Sequence, residues 1–368
     1  MAINVDLELP EEMGALNPLS EYPVHEWSPE TSPNVEVRSD PRAYERYWFT
    51  AQDTTGDLFV ITGFGVYPNL KRVEGYAIVT LRGKQTTVRA SRPLTRNRFD
   101  MSVGPLSYTV VEPFKQWRLV LSENAYGIGF DLNWFDTKRQ AMRPPDLGGY
   151  ESFGRQEGTV TVGGETFRLE QAAFNGSRDH HWGIRDGVGG PGHALEGGRR
   201  PTTAPGGQWV EFKEWSIWGN RVFYNFGDAR PGAGMVNKQE TRLKFDADKR
   251  TVRRIVTRNL LDTGEWKELR WEVLGNQIGA LRCGMYGGPD GGTPDRNLFH
   301  GMDPGDQPVS GETYDLNDDA VRAKVLGNDD YHCRVTCDGE TTYAVFEANS
   351  WTYGFAETGV NGYSLMAE

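Results

Sequence analysis

Residues 57–67 read DLFVITGFGVY, and residues 75–83 read GYAIVTLRG. Each is a short run of β-branched and aromatic residues closed by turn residues, the signature of a strand. The same reading holds outward from this pair. YWFTAQD (47–53) precedes it, and KQTTVRASR (84–92), SYTVVEPF (107–114), WRLVLSEN (117–124) and YGIGFDLNWFD (126–136) follow. RQEGTVTVGGETFRLEQAAF (155–174) holds a hairpin turning at Gly163-Gly164, and HCRVTCDGETTYAVFEAN (332–349) another at Asp338-Gly339. Between them QWVEFKEWSIW, NRVFYNFG, ETRLKFDAD, TVRRIVTRNLL and KELRWEVLG each read as one strand. DLNDDAVRAKVLG (315–327) is the best helix candidate, capped at Asn317 or Asp318 and stopped at Gly327.

Many short antiparallel strands and few helices predict an all-β chain of barrels or sandwiches. Residues 1–40, acidic and proline-rich, read as an extended arm or surface wrap. Residues 41–186 form a first β domain. DGVGGPGHALEGGRRPTTAPGG, at 186–207, reads as a linker or a long loop, which sets the linker at 187–207 and a second β domain at 208–368. A weak echo of VTLRGKQTT in VTVGGETF and VTCDGETT fits two similar barrels. No glycine-rich loop opens a helix after a strand, so dinucleotide and P-loop readings have no support.

Composition narrows the function. The chain has 368 residues, 45 of them Gly and 20 Pro, with 12% aromatics and a formal net charge of -11. Aromatic content this high argues against disorder. The acidic balance disfavours nucleic acid and anionic membrane surfaces as partners. The three cysteines, Cys283, Cys333 and Cys337, lack disulfide or zinc spacing, and MAINVDLELPEEMG is not a signal peptide. The expectation is a cytoplasmic protein with no stable membrane insertion, compatible with a homodimer.

GSRDHHWGIRDG (176–187) concentrates chemistry, with two of the six histidines adjacent. On a strand, Ser177, Asp179, His181 and Arg185 share one face, and Arg178, His180, Trp182 and Ile184 the other. The second face is the one assigned to a core or pocket. There His180 can give or take a proton beside the Trp182 indole, which can steady a developing cation. A carboxylate, Asp179 or one from another strand, would orient the ring and raise its pKa. Alternation puts Asp179 on the wrong face for this unless a bulge intervenes. The competing reading makes His180 a buried histidine bonded to backbone and Asp179–Arg185 an ion pair. His180 and His181 diverge, and His25, His193, His300 and His332 lack ligand spacing, so no metal is expected.

The motif D-H-x-W-G-x-R at Asp179–Arg185, with YERYWF at Tyr44, GFGVYPN at Gly63 and GFDLNWF at Gly129, resembles the carotenoid 1,2-hydratase (hydroxyneurosporene synthase)-like superfamily, in an uncharacterised bacterial branch. The resemblance covers roughly Tyr44 to the end. It implies two lipocalin-like barrels, cofactor-free hydration or cyclisation of isoprenoids or polyenes, and functional weight on Asp179, His180 and Trp182. His181 stands where Ser is commoner, which changes the local proton inventory. Phe64, Tyr67, His181, Trp209, Trp215 and Tyr224 are expected to line the substrate cavity, with Trp218 and Phe226 nearby. Asp131 is a second acid candidate on an alternating strand, and Glu211 or Glu214 points inward.

Two functions follow. One is a cofactor-independent acid/base enzyme (hydratase, cyclase or isomerase) on a hydrophobic alkene or polyene of isoprenoid, terpenoid or polyketide type, with His180 assisted by Asp179. The alternative is a non-catalytic lipid- or terpenoid-binding protein of lipocalin type.

Overall fold

The computed structural model describes residues 17–25, 40–142, 148–185, 187–190, 212–218, 221–226, 236–248, 251–261, 264–287, 291–349 and 363–365. The opening stretch becomes β2 (Leu58–Tyr67), flanked by β1 (Ala43–Asp53), β3 (Arg72–Leu81) and β4 (Lys84–Pro93) in an antiparallel meander. The sheet continues through β5 (Ser102–Val103), β6 (Leu106–Glu112), β7 (Gln116–Leu121), β8 (Ile128–Met142), β9 (Gly149–Val162), β10 (Glu165–Leu169) and β11 (Phe174–Ile184). β11 lies between β1 and β9, so the first and last long strands of this half pair with each other.

The second sheet contains β12 (Phe212–Trp218), β13 (Arg221–Phe226), β14 (Val236–Phe245), β15 (Val252–Leu261) and β16 (Trp266–Ala280). β18 (Asn328–Cys337), β19 (Glu340–Asn349) and β20 (Tyr363–Leu365) complete it. One strand departs from a simple division of the chain. β17 (Val309–Asp315) lies far along the sequence yet pairs with β4 and so extends the first sheet. The helix α1 spans Asp319–Val325 with Asp318 as its cap, as its sequence indicates. Both expected hairpin turns form with left-handed backbone at Gly163, Gly164, Asp338 and Gly339. Among the described residues the fold is all-β, with two large antiparallel sheets and one short α-helix.

The first sheet curls around a buried aromatic and aliphatic core. Gly75 on β3 leaves room for Val103, whose Cγ1 would lie 2.8 Å from a β-carbon there. Inside the curl pack Tyr47, Phe49, Phe64, Trp117, Leu132 and Trp134. Its outer face meets the second sheet through Trp48, Phe59, Ile61, Tyr76, Phe153, Leu281 and Val345. β2 is therefore buried on both faces along its whole length, which explains a run that is apolar almost throughout instead of alternating. No helix among the described residues is long and apolar enough to cross a membrane.

Candidate functional site

β11 carries the D-H-H-W segment, and its two faces lead to two separate buried clusters. Arg178, His180 and Trp182 point into the curl, while Asp179 and His181 point toward the second sheet. The period-2 geometry of an extended strand imposes this separation.

The inner cluster joins three remote segments. His180 Nε2 lies 2.8 Å from Glu45 Oε1, supplied by β1. His25 Nδ1 lies 2.7 Å from the same oxygen, and the His25 backbone N–H donates to Glu45 Oε2 at 2.9 Å. Tyr47 stacks on His180 at 3.9 Å between ring centroids, Trp182 meets it edge-on at 5.2 Å, and His25 stacks on Trp182 at 3.6 Å. Tyr150 Oη lies 3.4 Å from His180 Nδ1. His180 has 0% exposure.

The segment 17–25 covers this cluster. Asn17 caps a 3-10 turn over Pro18–Glu21, and Glu21 is driven into the interior rather than lying on the surface as an extended wrap would. Glu21 accepts from Trp117 Nε1 at 2.8 Å and from Arg178 Nη2 at 3.0 Å, and Tyr150 Oη also donates to it. Arg178 is completed by Asp136, 3.0 Å from its Nε. Each buried charge here has an opposite partner, as the cost of burying charge requires.

Electrostatics follows burial. Desolvation holds His25 down at about 3 and His180 well below the ordinary histidine range, and it pushes Glu45 well above the ordinary carboxylate range. Both rings are therefore neutral near pH 7. The direction is opposite to the raised imidazole value expected from the sequence, because desolvation outweighs the nearby carboxylate. His25, Glu45 and His180 also offer donor atoms within 4.8 Å of one another, a set that could hold a metal ion.

The outer cluster takes the other expected residues. His181 bridges two carboxylates, with Nε2 2.8 Å from Glu151 Oε1 and Nδ1 3.1 Å from Asp179 Oδ2. Glu151, Asp179 and His181 also offer donor atoms within 4.8 Å of one another, a second set that could hold a metal ion. The carboxylate on His180 is thus Glu45, and Asp179 belongs to His181.

Phe64 and Tyr67 do not share a wall. Phe64 packs inside against Tyr47, 6.0 Å between centroids, whereas Tyr67 lies outside beside His300. Asp131 faces outward and pairs with Arg118 at 2.6 Å. Trp209 and Glu211 lie outside the described residues. Trp215 and Tyr224 are register partners across β12 and β13. Sequence reading missed Glu45, His25 and Glu21. The available signal was in YERYWF, where Glu45 and Arg46 interrupt an otherwise aromatic strand.

Residues 16–204 match the model of a family described as "Family of unknown function (DUF8625)". No curated protein matches the chain. Among solved structures, kievitone hydratase from Nectria haematococca is similar at 12% identity and a TM-score of 0.45, over 85% of this chain and 91% of that one. CghA is similar at 11% identity and a TM-score of 0.45, over 84% and 88%. CghA with Sch210972 gives 12% identity and a TM-score of 0.42, over 84% and 88%.

Proposed function

The chain belongs to the family of unknown function DUF8625, a description that assigns no reaction, and we propose from the chemistry of the inner cluster that it is a cofactor-independent acid/base enzyme acting on an apolar alkene or polyene. The observation that carries this reading is one carboxylate oxygen, Glu45 Oε1, within hydrogen-bond distance of two neutral imidazoles behind aromatic walls. Glu45 in its protonated form is the acid, delivering its proton to an alkene carbon. Trp182, Tyr47 and Tyr150 present π faces to the carbocation that results. His180 or His25, being neutral, is the base. Removing a proton from an added water gives a hydratase. Removing it from a neighbouring carbon gives an isomerase, or a cyclase when another double bond has first captured the cation. Asp179 has no part in this step, because it faces the other side of the strand. Substrate reaches His180 when the segment 17–25 lifts, since that segment closes the cluster.

The test uses solvent deuterium. Acyclic isoprenoid and polyketide polyenes incubated with the protein in D2O acquire deuterium at alkene carbons. His180→Ala and Glu45→Gln lose this by about 10²–10⁴-fold, the usual contribution of a positioned proton donor or acceptor. Full incorporation by Glu45→Gln rejects the reading, and full incorporation by His180→Ala assigns the base to His25. Ligand-dependent quenching of tryptophan fluorescence without any incorporation by the wild type favours the binding-protein alternative. Chelator dialysis leaves incorporation unchanged; its loss would assign His25, Glu45 and His180 to a metal.

A further inference from the structure

Arg46 stands on β1 directly across from His181 on β11, on the outer face of the first sheet. It is 3% exposed. Its Nη1 lies 2.8 Å from His300 Nε2, and its Nη2 donates to Tyr286 Oη at 2.7 Å. Its Nε has no hydrogen-bond partner, and among the described residues the carboxylates that act on it, Asp179 and Glu74, do so through space with no direct ion pair seen. The other deeply buried arginines differ. Arg178 holds Glu21 and Asp136, Arg89 holds Asp295 and Glu312, and Arg322 holds Asp319. A desolvated guanidinium costs several kcal/mol unless an anion offsets it. Two of its five N–H groups are used, and both partners are uncharged acceptors.

The surroundings are built around the cation. His300 gives its Nδ1 side to Glu74, which fixes Nε2 as the acceptor facing Arg46. Tyr76 Oη lies 2.9 Å from Tyr286 Oη, so the phenols hold each other in place. The guanidinium carbon sits 4.1 Å from the Tyr286 ring centroid and 5.9 Å from that of Tyr44. A second cation, Arg185, lies 5.3 Å from the same Tyr286 ring. There is also room. Gly183 follows His181 on this face opposite Tyr44, and a β-carbon on it would meet no atom of the described residues within 4 Å. The acids of this face, Asp179 and Glu151, are engaged by His181.

We propose that Arg46 and Tyr286 form a binding site for an organic carboxylate with an apolar body, entering beside Gly183 on the outer face of β11. The planar guanidinium matches a carboxylate in two-point contact, and Tyr44 and Tyr286 flank the body of the ligand. This site is separate from the Glu45 cluster, on the opposite side of the sheet. Benzoate, octanoate and 3-phenylpropionate, each titrated calorimetrically against its own amide, test it without any turnover. At least one acid binds ten times more tightly than its amide. Arg46→Met abolishes that preference while its melting temperature stays close to that of the wild type, because no direct ion pair is lost and the desolvation cost of the charge goes with its through-space attraction to Asp179 and Glu74. Tyr286→Phe weakens the same acid. The proposal is overturned if no acid outbinds its amide or if Arg46→Met retains the preference. It is equally overturned if Arg46→Met melts well below the wild type, which would assign the cation to the fold.

Discussion

Arg178 and Arg46 are both deeply buried, and they lie on opposite sides of the β1–β11 pair. Arg178 is gripped by two carboxylates, 3.0 Å from each, on the inner face. Among the described residues Arg46 hydrogen-bonds an imidazole and a phenol on the outer face. One sheet thus closes its charges inside in direct ion pairs and leaves outside a cation that the described carboxylates, Asp179 and Glu74, reach only through space. The first arrangement holds the segment 17–25 in place; the second leaves binding capacity unspent. The difference teaches that burial alone does not tell a structural arginine from a binding one, whereas the partners of its N–H groups do.

The sharpest way to break this comparison is Arg178→Met. It leaves Glu21 and Asp136 buried without their cation and should cost about 3–5 kcal/mol of stability in urea unfolding. Arg46→Met should cost essentially nothing by the same measurement, and equal losses would erase the distinction. Next in size is acid sensitivity. Burial holds His25 and His332 at about 3 in the folded chain. With unfolded values near 6.5, the unfolded state binds more protons below that pH. Their contribution is complete above about pH 6.5 and falls as the pH drops toward 3. Each should cost about 2 kcal/mol by pH 5, and His25→Gln should flatten the slope of unfolding free energy against pH by up to one proton. Glu45 has the opposite sign: its raised folded value favours the folded state at low pH, and that contribution fades as pH rises through it.

Smaller effects sharpen the outer side. His181→Asn removes the bridge between Asp179 and Glu151 and should cost about 1–3 kcal/mol, seen as a lower urea midpoint. Asp131→Asn breaks only the half-exposed pair with Arg118 and should change stability by less than about 1 kcal/mol. A loss near that of Arg178→Met would make the outward face as structural as the inner one.

The strands, both hairpin turns and the cap of α1 were legible because each rests on local rules: residue type, alternation and left-handed turn positions. The two faces of D-H-H-W were legible too, since alternation alone separates His180 from His181. Their partners were not. Glu45 and Arg46 reach β11 only through the β1–β11 register, which pairs residues more than 130 positions apart. Glu21 and His25 come from a proline-rich stretch whose composition looks extended, and Glu21 turns inward to Arg178, Trp117 and Tyr150, partners far away in sequence. β17 joins the first sheet against sequence order for a similar reason: edge pairing is decided in space. In YERYWF, one glutamate and one arginine side by side already assign one charge to each face.

The most direct measurement is a pH series of imidazole ¹⁵N chemical shifts for His25 and His180 from pH 5 to 8. The Glu45 cluster predicts that both rings stay neutral throughout, held there by burial on a shared carboxylate. An imidazolium signal from either ring at pH 7 would contradict it and remove the neutral base on which the proposed chemistry depends.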